Sequence, residues 1–159
     1  GRNGVCKVVD ITHLDMSGVD KDQLYYALVP MKSEDSKIFY PVDSDKVVMR
    51  SVVTKDQAKD LVSEIKDIEP MRIENDRQRE AKYKEALVSC DCKQLICIIK
   101  TMYARNKERI GKGKRITYVD DRYLKEAKQN LNDEFSIALG IEPREVEKYI
   151  KAQIVEQEA

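Results

Sequence analysis

At Thr54 the apolar periodicity of this chain changes from about two residues to about 3.6, and no other feature constrains the fold as strongly. Before it, β-branched and aromatic runs are separated by polar turns. Val5–Ile11, Leu24–Pro30, Lys37–Val42 and Val47–Val53 read as four short strands. The runs Asp15–Asp22 and Ser33–Ser36 read as turns. Short strands at near-regular spacing predict a small curled sheet or barrel. Pro41 restricts its own run to a sheet edge or a bulge, because proline donates no ladder hydrogen bond.

After Thr54 the signals are helical. Thr54 and Gln57 form a capping box, followed by Ala58, Leu61, Val62, Ile65 and Ile68 at helical spacing and then Pro70. A second helix is expected over Asn75–Val88. A third starts at the N-cap candidate Asp91, carries Leu95, Ile96, Ile99, Met102 and Tyr103 on one face, and is stopped by Gly111 and Gly113. Thr117-Tyr-Val-Asp120 resembles an acidic capping box for a fourth, with Tyr123, Leu124, Ala127, Leu131, Phe135 and Leu139 inward and Gly140 at its end. Pro143 opens a fifth carrying Val146, Tyr149, Ile150 and Ile154. The fold class is therefore α+β: a β module over 1–54 joined to an all-α bundle of about five helices over 55–159. A short connection implies limited motion between them.

The 159 residues suffice for one domain or two small ones with a real core. At 36% charged and 42% hydrophobic the chain reads as a folded soluble protein. No apolar run approaches the ~20 residues needed to cross a bilayer, and no signal peptide is evident, so a cytoplasmic protein is expected. The start, Gly1-Arg2-Asn3-Gly4, reads as the middle of a turn, so the natural protein is expected to begin earlier. Cys6, Cys90, Cys92 and Cys97 fit no common zinc spacing, and His13 is the only histidine. Four reduced thiols and no metal or other cofactor are expected, with Cys97 a small buried hydrophobe inside L-I-C-I-I.

The usual marks of catalysis are missing. The sequence contains no phosphate-loop, dinucleotide, nucleophile-elbow or zinc-protease motif, and its carboxylates interleave with lysines as solvated helix faces do. The expectation is an interaction protein, not an enzyme.

The 29 basic residues balance the 29 acidic ones, which argues against coating nucleic acid by bulk charge. One stretch departs from the balance. Over 93–115, Lys93, Lys100, Arg105, Lys107, Arg109, Lys112, Lys114 and Arg115 meet only Glu108. Cations at a helix C-terminus account for Arg105, Lys107 and Arg109, each favourable by roughly 0.3–1 kcal/mol. Lys112, Lys114 and Arg115, in a loop with two glycines, are open to two readings: a phosphate contact or a solvated loop.

Several strings, in order, resemble the CarD/CdnL family of bacterial transcription regulators. They are N-G-V-C-K-V at Asn3–Val8, L-Y-Y-A-L-V-P at Leu24–Pro30, I-F-Y-P-V at Ile38–Val42 and V-M-R-S-V-V at Val48–Val53. K-Y-K-E-A-L-V-S-C-D at Lys82–Asp91 follows, then G-K-G-K-R-I-T-Y-V-D-D-R-Y-L-K-E-A at Gly111–Ala127 and A-L-G-I-E at Ala138–Glu142. The resemblance spans nearly the whole chain. It lacks the strand that such family members carry before the N-G turn.

The resemblance implies a Tudor/SH3-like barrel that docks on the RNA polymerase β subunit by strand addition, and a helical module that lies on promoter DNA at the upstream bubble edge without reading sequence. It also implies a monomer. The polymerase-facing strand maps to Lys37, Ile38, Phe39, Tyr40 and Pro41; where many relatives hold an arginine, Phe39 stands here. The family's wedge tryptophan maps near Arg79, so DNA contact is expected to be weaker and chiefly electrostatic, with Arg79 in the minor groove or on a phosphate, or else on the helix surface. Lys82 and Lys84 match basic positions for phosphate contact, with Lys112, Lys114 and Arg115 as auxiliaries. A non-specific DNA-binding protein, and a protein–protein adaptor without a DNA role, are the alternatives.

Overall fold

The computed structural model describes residues 3–156, so Gly1 and Arg2 of the expected N-terminal turn lie outside the described residues. The fold is α+β, with a small antiparallel sheet followed by helices, and it separates into two compact units that divide between Met49 and Arg50.

The first unit is a sheet of β1 (Cys6–His13), β2 (Leu24–Pro30) and β3 (Ile38–Pro41) in the order β1-β2-β3. β1 is not strictly period two. Its apolar residues fall at 6, 8, 9 and 11, and the register shifts between Val8 and Asp10. The extra residue returns Ile11 to the side of Cys6 and Val8, opposite Tyr26, where an unbroken ladder would have placed Asp10. Only Ala27, Leu28 and Pro30 of this sheet are buried, while Val8, Val9, Ile11, Leu24 and Phe39 remain exposed.

The fourth strand expected over Val47–Val53 is not formed, although the run is β-branched. Arg50 donates through Nε to the Cys90 carbonyl at 2.6 Å, and its guanidinium grips both Glu134 oxygens at 2.5 and 3.0 Å. The Val53 N–H also donates to Glu134, at 2.9 Å. A backbone donor that a ladder would use is thus bound to a helix carboxylate, the Arg50 side chain is held beside it, and Arg50–Val53 belongs with the helices.

The second unit contains α1 (Lys55–Glu64), α2 (Arg79–Val88), α3 (Cys92–Gly111), α4 (Tyr118–Leu139) and α5 (Val146–Glu156). The Thr54/Gln57 capping box forms in both directions, at 3.2 and 2.9 Å. Asp91 caps α3 through the Lys93 N–H, and Thr117 caps α4 through the Asp120 N–H. A 3-10 turn over Asp76–Gln78 precedes α2, so the helix expected from Asn75 starts late. Ala58, Val62, Tyr83, Leu87, Leu95, Ile96, Ile98, Met102, Ala127, Phe135 and Val146 build one core.

Two assignments change. Tyr103 is half-exposed instead of inward, because the buried stripe of α3 runs through Ile98 and Met102. Cys97 is only partly buried and donates to the Glu69 carbonyl at 3.2 Å; the buried thiol is Cys92. Burial, then the negative Glu134 beside it, pushes the Cys92 thiol up to about 12. Cys92 is therefore expected to resist alkylation in the native protein at pH 8 while Cys90 and Cys97 react. Peptide mass mapping after brief iodoacetamide treatment checks this, and equal labelling of Cys92 would contradict the buried packing.

Candidate protein and nucleic-acid interfaces

β3 is an edge strand, as Pro41 requires. Its pairing sets which way the backbone faces. Tyr25 opposes Pro41, Tyr26 opposes Tyr40, Ala27 opposes Phe39, and the Val42 N–H donates to the Leu24 carbonyl at 2.9 Å. Antiparallel pairs alternate between hydrogen-bonded and open, so Ile38, Tyr40 and Val42 bond inward to β2. Phe39 and Pro41 turn their peptide groups toward the open edge. The edge thus offers two carbonyls but only the Phe39 N–H, since proline has none. The Phe39 ring, 41% exposed, shares a face with Ala27, and Ile38 and Tyr40 lie on the face of Leu28. Lys37 is exposed just before the strand.

In the helical unit the expected DNA residues divide into engaged and exposed cations. Arg79 is engaged. Its side chain is 13% exposed; Nε lies 3.0 Å from Asp120 and Nη1 lies 3.0 Å from Asp76. Arg105 repeats the arrangement from α3, at 3.2 Å from Asp120 and 2.8 Å from Asp76. Asp120 is fully buried, and it also accepts from the Thr117 hydroxyl at 2.7 Å. The Tyr83 hydroxyl is raised to about 12, chiefly by burial and then by the charge of Asp120. A guanidinium held by two carboxylates must give up those pairs before it can enter a minor groove or meet a phosphate, which weighs against either contact for Arg79. Arg105, expected as a cation at a helix end, is likewise a partner of Asp120.

Lys82 is half-buried and donates to the Arg72 carbonyl at 3.0 Å, leaving two of its three protons for another acceptor. Lys84 is exposed on α2.

The basic loop is built by the end of α3. Gly113, at φ 68°, lies in the left-handed region; its N–H donates to Ile110 at 2.9 Å and the Lys114 N–H reaches back to Arg109 at 2.9 Å. This Schellman closure satisfies the last carbonyls without side-chain charge. Arg109 Nε donates to the Arg115 carbonyl at 3.0 Å, and Lys112 pairs with Glu108 one turn back. The Lys114 and Arg115 side chains are exposed beyond the cap, beside Ile116 and Tyr118, both exposed.

Sequence reasoning missed Asp120 and Glu134 as buried anchors. The signal for Glu134 was available: it lies three residues from Leu131, on the core face, where a carboxylate requires a partner. No protein-family model matches this sequence, and no curated protein matches it. Among the described residues, no helix is long and apolar enough to cross a membrane.

Asp120→Asn leaves two guanidiniums around a neutral amide and is expected to destabilise the helical unit by about 3–5 kcal/mol in urea unfolding. A second test uses pH. The Arg105 guanidinium holds the Asp76 carboxyl below its ordinary value. A lowered value means stability present above about pH 4 and lost as pH falls through the folded value. Acid unfolding is expected to steepen below pH 4 and to flatten in Asp76→Asn; an unchanged acid limb would remove Asp76 from the network's energetics.

Proposed function

We propose that this chain is a transcription regulator of the CarD/CdnL kind. Its sheet unit docks on the β subunit of a bacterial RNA polymerase, and its helical unit touches promoter DNA near the upstream bubble edge and tunes open-complex stability. The observation that carries the reading is the edge strand β3. Its outward peptide groups at Phe39 and Pro41 suit strand addition, and they fall in the string I-F-Y-P-V that resembles the family's docking strand. In this reading the unit is a Tudor-like barrel, and the protein is a cytoplasmic monomer without catalytic activity.

DNA contact falls to exposed cations. Lys114 and Arg115 beyond the Gly113 cap are the principal candidates, with exposed Lys84 in support and with Lys82 and Lys112, each already bonded within the unit, as lesser ones. The contact is electrostatic and indifferent to sequence. The engagement of Arg79 favours a second reading, an adaptor that pairs through β3 and has no DNA role.

Calorimetry of the whole chain against a purified β-subunit lobe at physiological salt tests the docking. Micromolar or tighter binding, lost on Phe39→Pro, is expected; no heat with a well-folded matching lobe would overturn it. On duplex DNA, Lys114→Ala and Arg115→Ala are each expected to reduce the slope of log K against log salt by about 0.9. Unchanged slopes, or no salt-dependent binding at all, would favour the adaptor.

A further inference from the structure

The helical unit holds a cleft that neither docking nor DNA contact uses. It lies where the end of α1 meets α3, α4 and α5, is partly open to solvent, and has a volume of about 200 Å³. Ile65, Ile96, Ile99, Leu131 and Ile150 form its wall, the first from the residue that caps the end of α1, two from α3 and one each from α4 and α5. Lys100, Tyr103, Lys128, Asn132, Glu147 and Lys151 complete the lining, and since its surface is almost wholly apolar, their polar ends lie at its edge. Water inside would find hydrogen-bond partners only at that rim, so the wall favours an apolar occupant.

The mouth is cationic. Three ammonium groups face one carboxylate. Lys100 donates to the Ile65 and Lys66 carbonyls at 2.8 and 3.2 Å, which satisfies the end of α1 and leaves its third proton for another acceptor. Lys128 pairs with Glu147 at 2.7 Å and donates to the Tyr103 hydroxyl at 3.2 Å. Lys151 is exposed one helical turn beyond Glu147. Lys128 in particular, and Lys151 to a lesser degree, hold the Glu147 carboxyl below its ordinary value, so the rim already stabilises a carboxylate.

We propose that this cleft binds a small amphipathic carboxylate, a medium-chain fatty acid, with its alkyl tail against the isoleucines and its head among Lys100, Lys128 and Lys151. The size sets the tail. An aliphatic cavity of about 150 Å³ takes a benzene ring, so this cleft takes a single ring or a short chain and is too small for the stripe of side chains that a docking helix presents. The charge sets the head: a ligand carboxylate adds a second anion to three cations, and a neutral or cationic head gains nothing from them. The Lys128–Glu147 pair bridges α4 to α5 across the mouth, so the incoming carboxylate competes with Glu147 for Lys128. This inference is independent of the proposed role in transcription.

The probe is octanoate below its micellar concentration, titrated into the full chain while isoleucine methyl NMR signals are followed. A dissociation constant on the order of 100 µM is expected for a ligand of this size. Ile96, Ile99 and Ile150 are expected to shift, and 1-octanol to bind at least tenfold more weakly. Lys151→Glu should weaken octanoate at least fivefold, and Glu147→Gln should tighten it by releasing Lys128. Ile99→Trp, which fills the cleft from a partly buried position, should abolish binding while the melting curve stays cooperative. Equal affinity for octanol, shifts confined to other residues, or undiminished binding in folded Ile99→Trp would each overturn the proposal.

Discussion

A carboxylate with no access to water organises the helical unit. Asp120 sits in the first turn of α4, and burying it alone would cost several kcal/mol. Four things offset that cost: the Arg79 and Arg105 guanidiniums, the Thr117 hydroxyl and the positive end of the α4 dipole. Each arginine also reaches Asp76, in the turn before α2. One network therefore ties the start of α2, the middle of α3 and the start of α4. A hydrophobic replacement of similar volume could match its energy. The geometry it imposes is directional, because a guanidinium fork accepts few arrangements of two carboxylates.

Glu134 plays the same part at the other end of α4. It draws in Arg50 and the Val53 N–H and sits beside the Cys92 thiol. Its consequence is visible upstream: Arg50–Val53 follows the helix instead of the sheet, and the unit boundary moves from the change of period at Thr54 to Met49. Local propensity favoured a strand there; a long-range charge-assisted contact decided against it.

That contrast explains what the sequence made legible. Strand β2, the caps at Thr54, Asp91 and Thr117, and the apolar stripe of α4 depend on neighbours within a few residues, and they could be read directly. The loss of the fourth strand depends on a partner tens of residues away. The same limit applied to charge. Arg79 and Arg105 look in sequence like Lys114 and Arg115, yet the first two are bound to Asp120 and the others are exposed past a glycine cap. Lys128 and Tyr103 show it again, since an outward tyrosine makes sense only once Lys128 is beside it.

The distinction between engaged and exposed cations bears on how a neutral protein can present a basic surface. Nucleic-acid affinity follows the charges that can displace counterions from phosphate, not the formal total. The structure removes Arg79, Arg105 and Arg50 from that set by pairing them inward, and the Schellman closure at Gly113 removes any need for Lys114 and Arg115 to neutralise the end of α3. Two charges are thereby left exposed at one loop by a backbone device, in a chain whose overall charge is zero. A basic residue is informative about function to the extent that the fold has no other use for it.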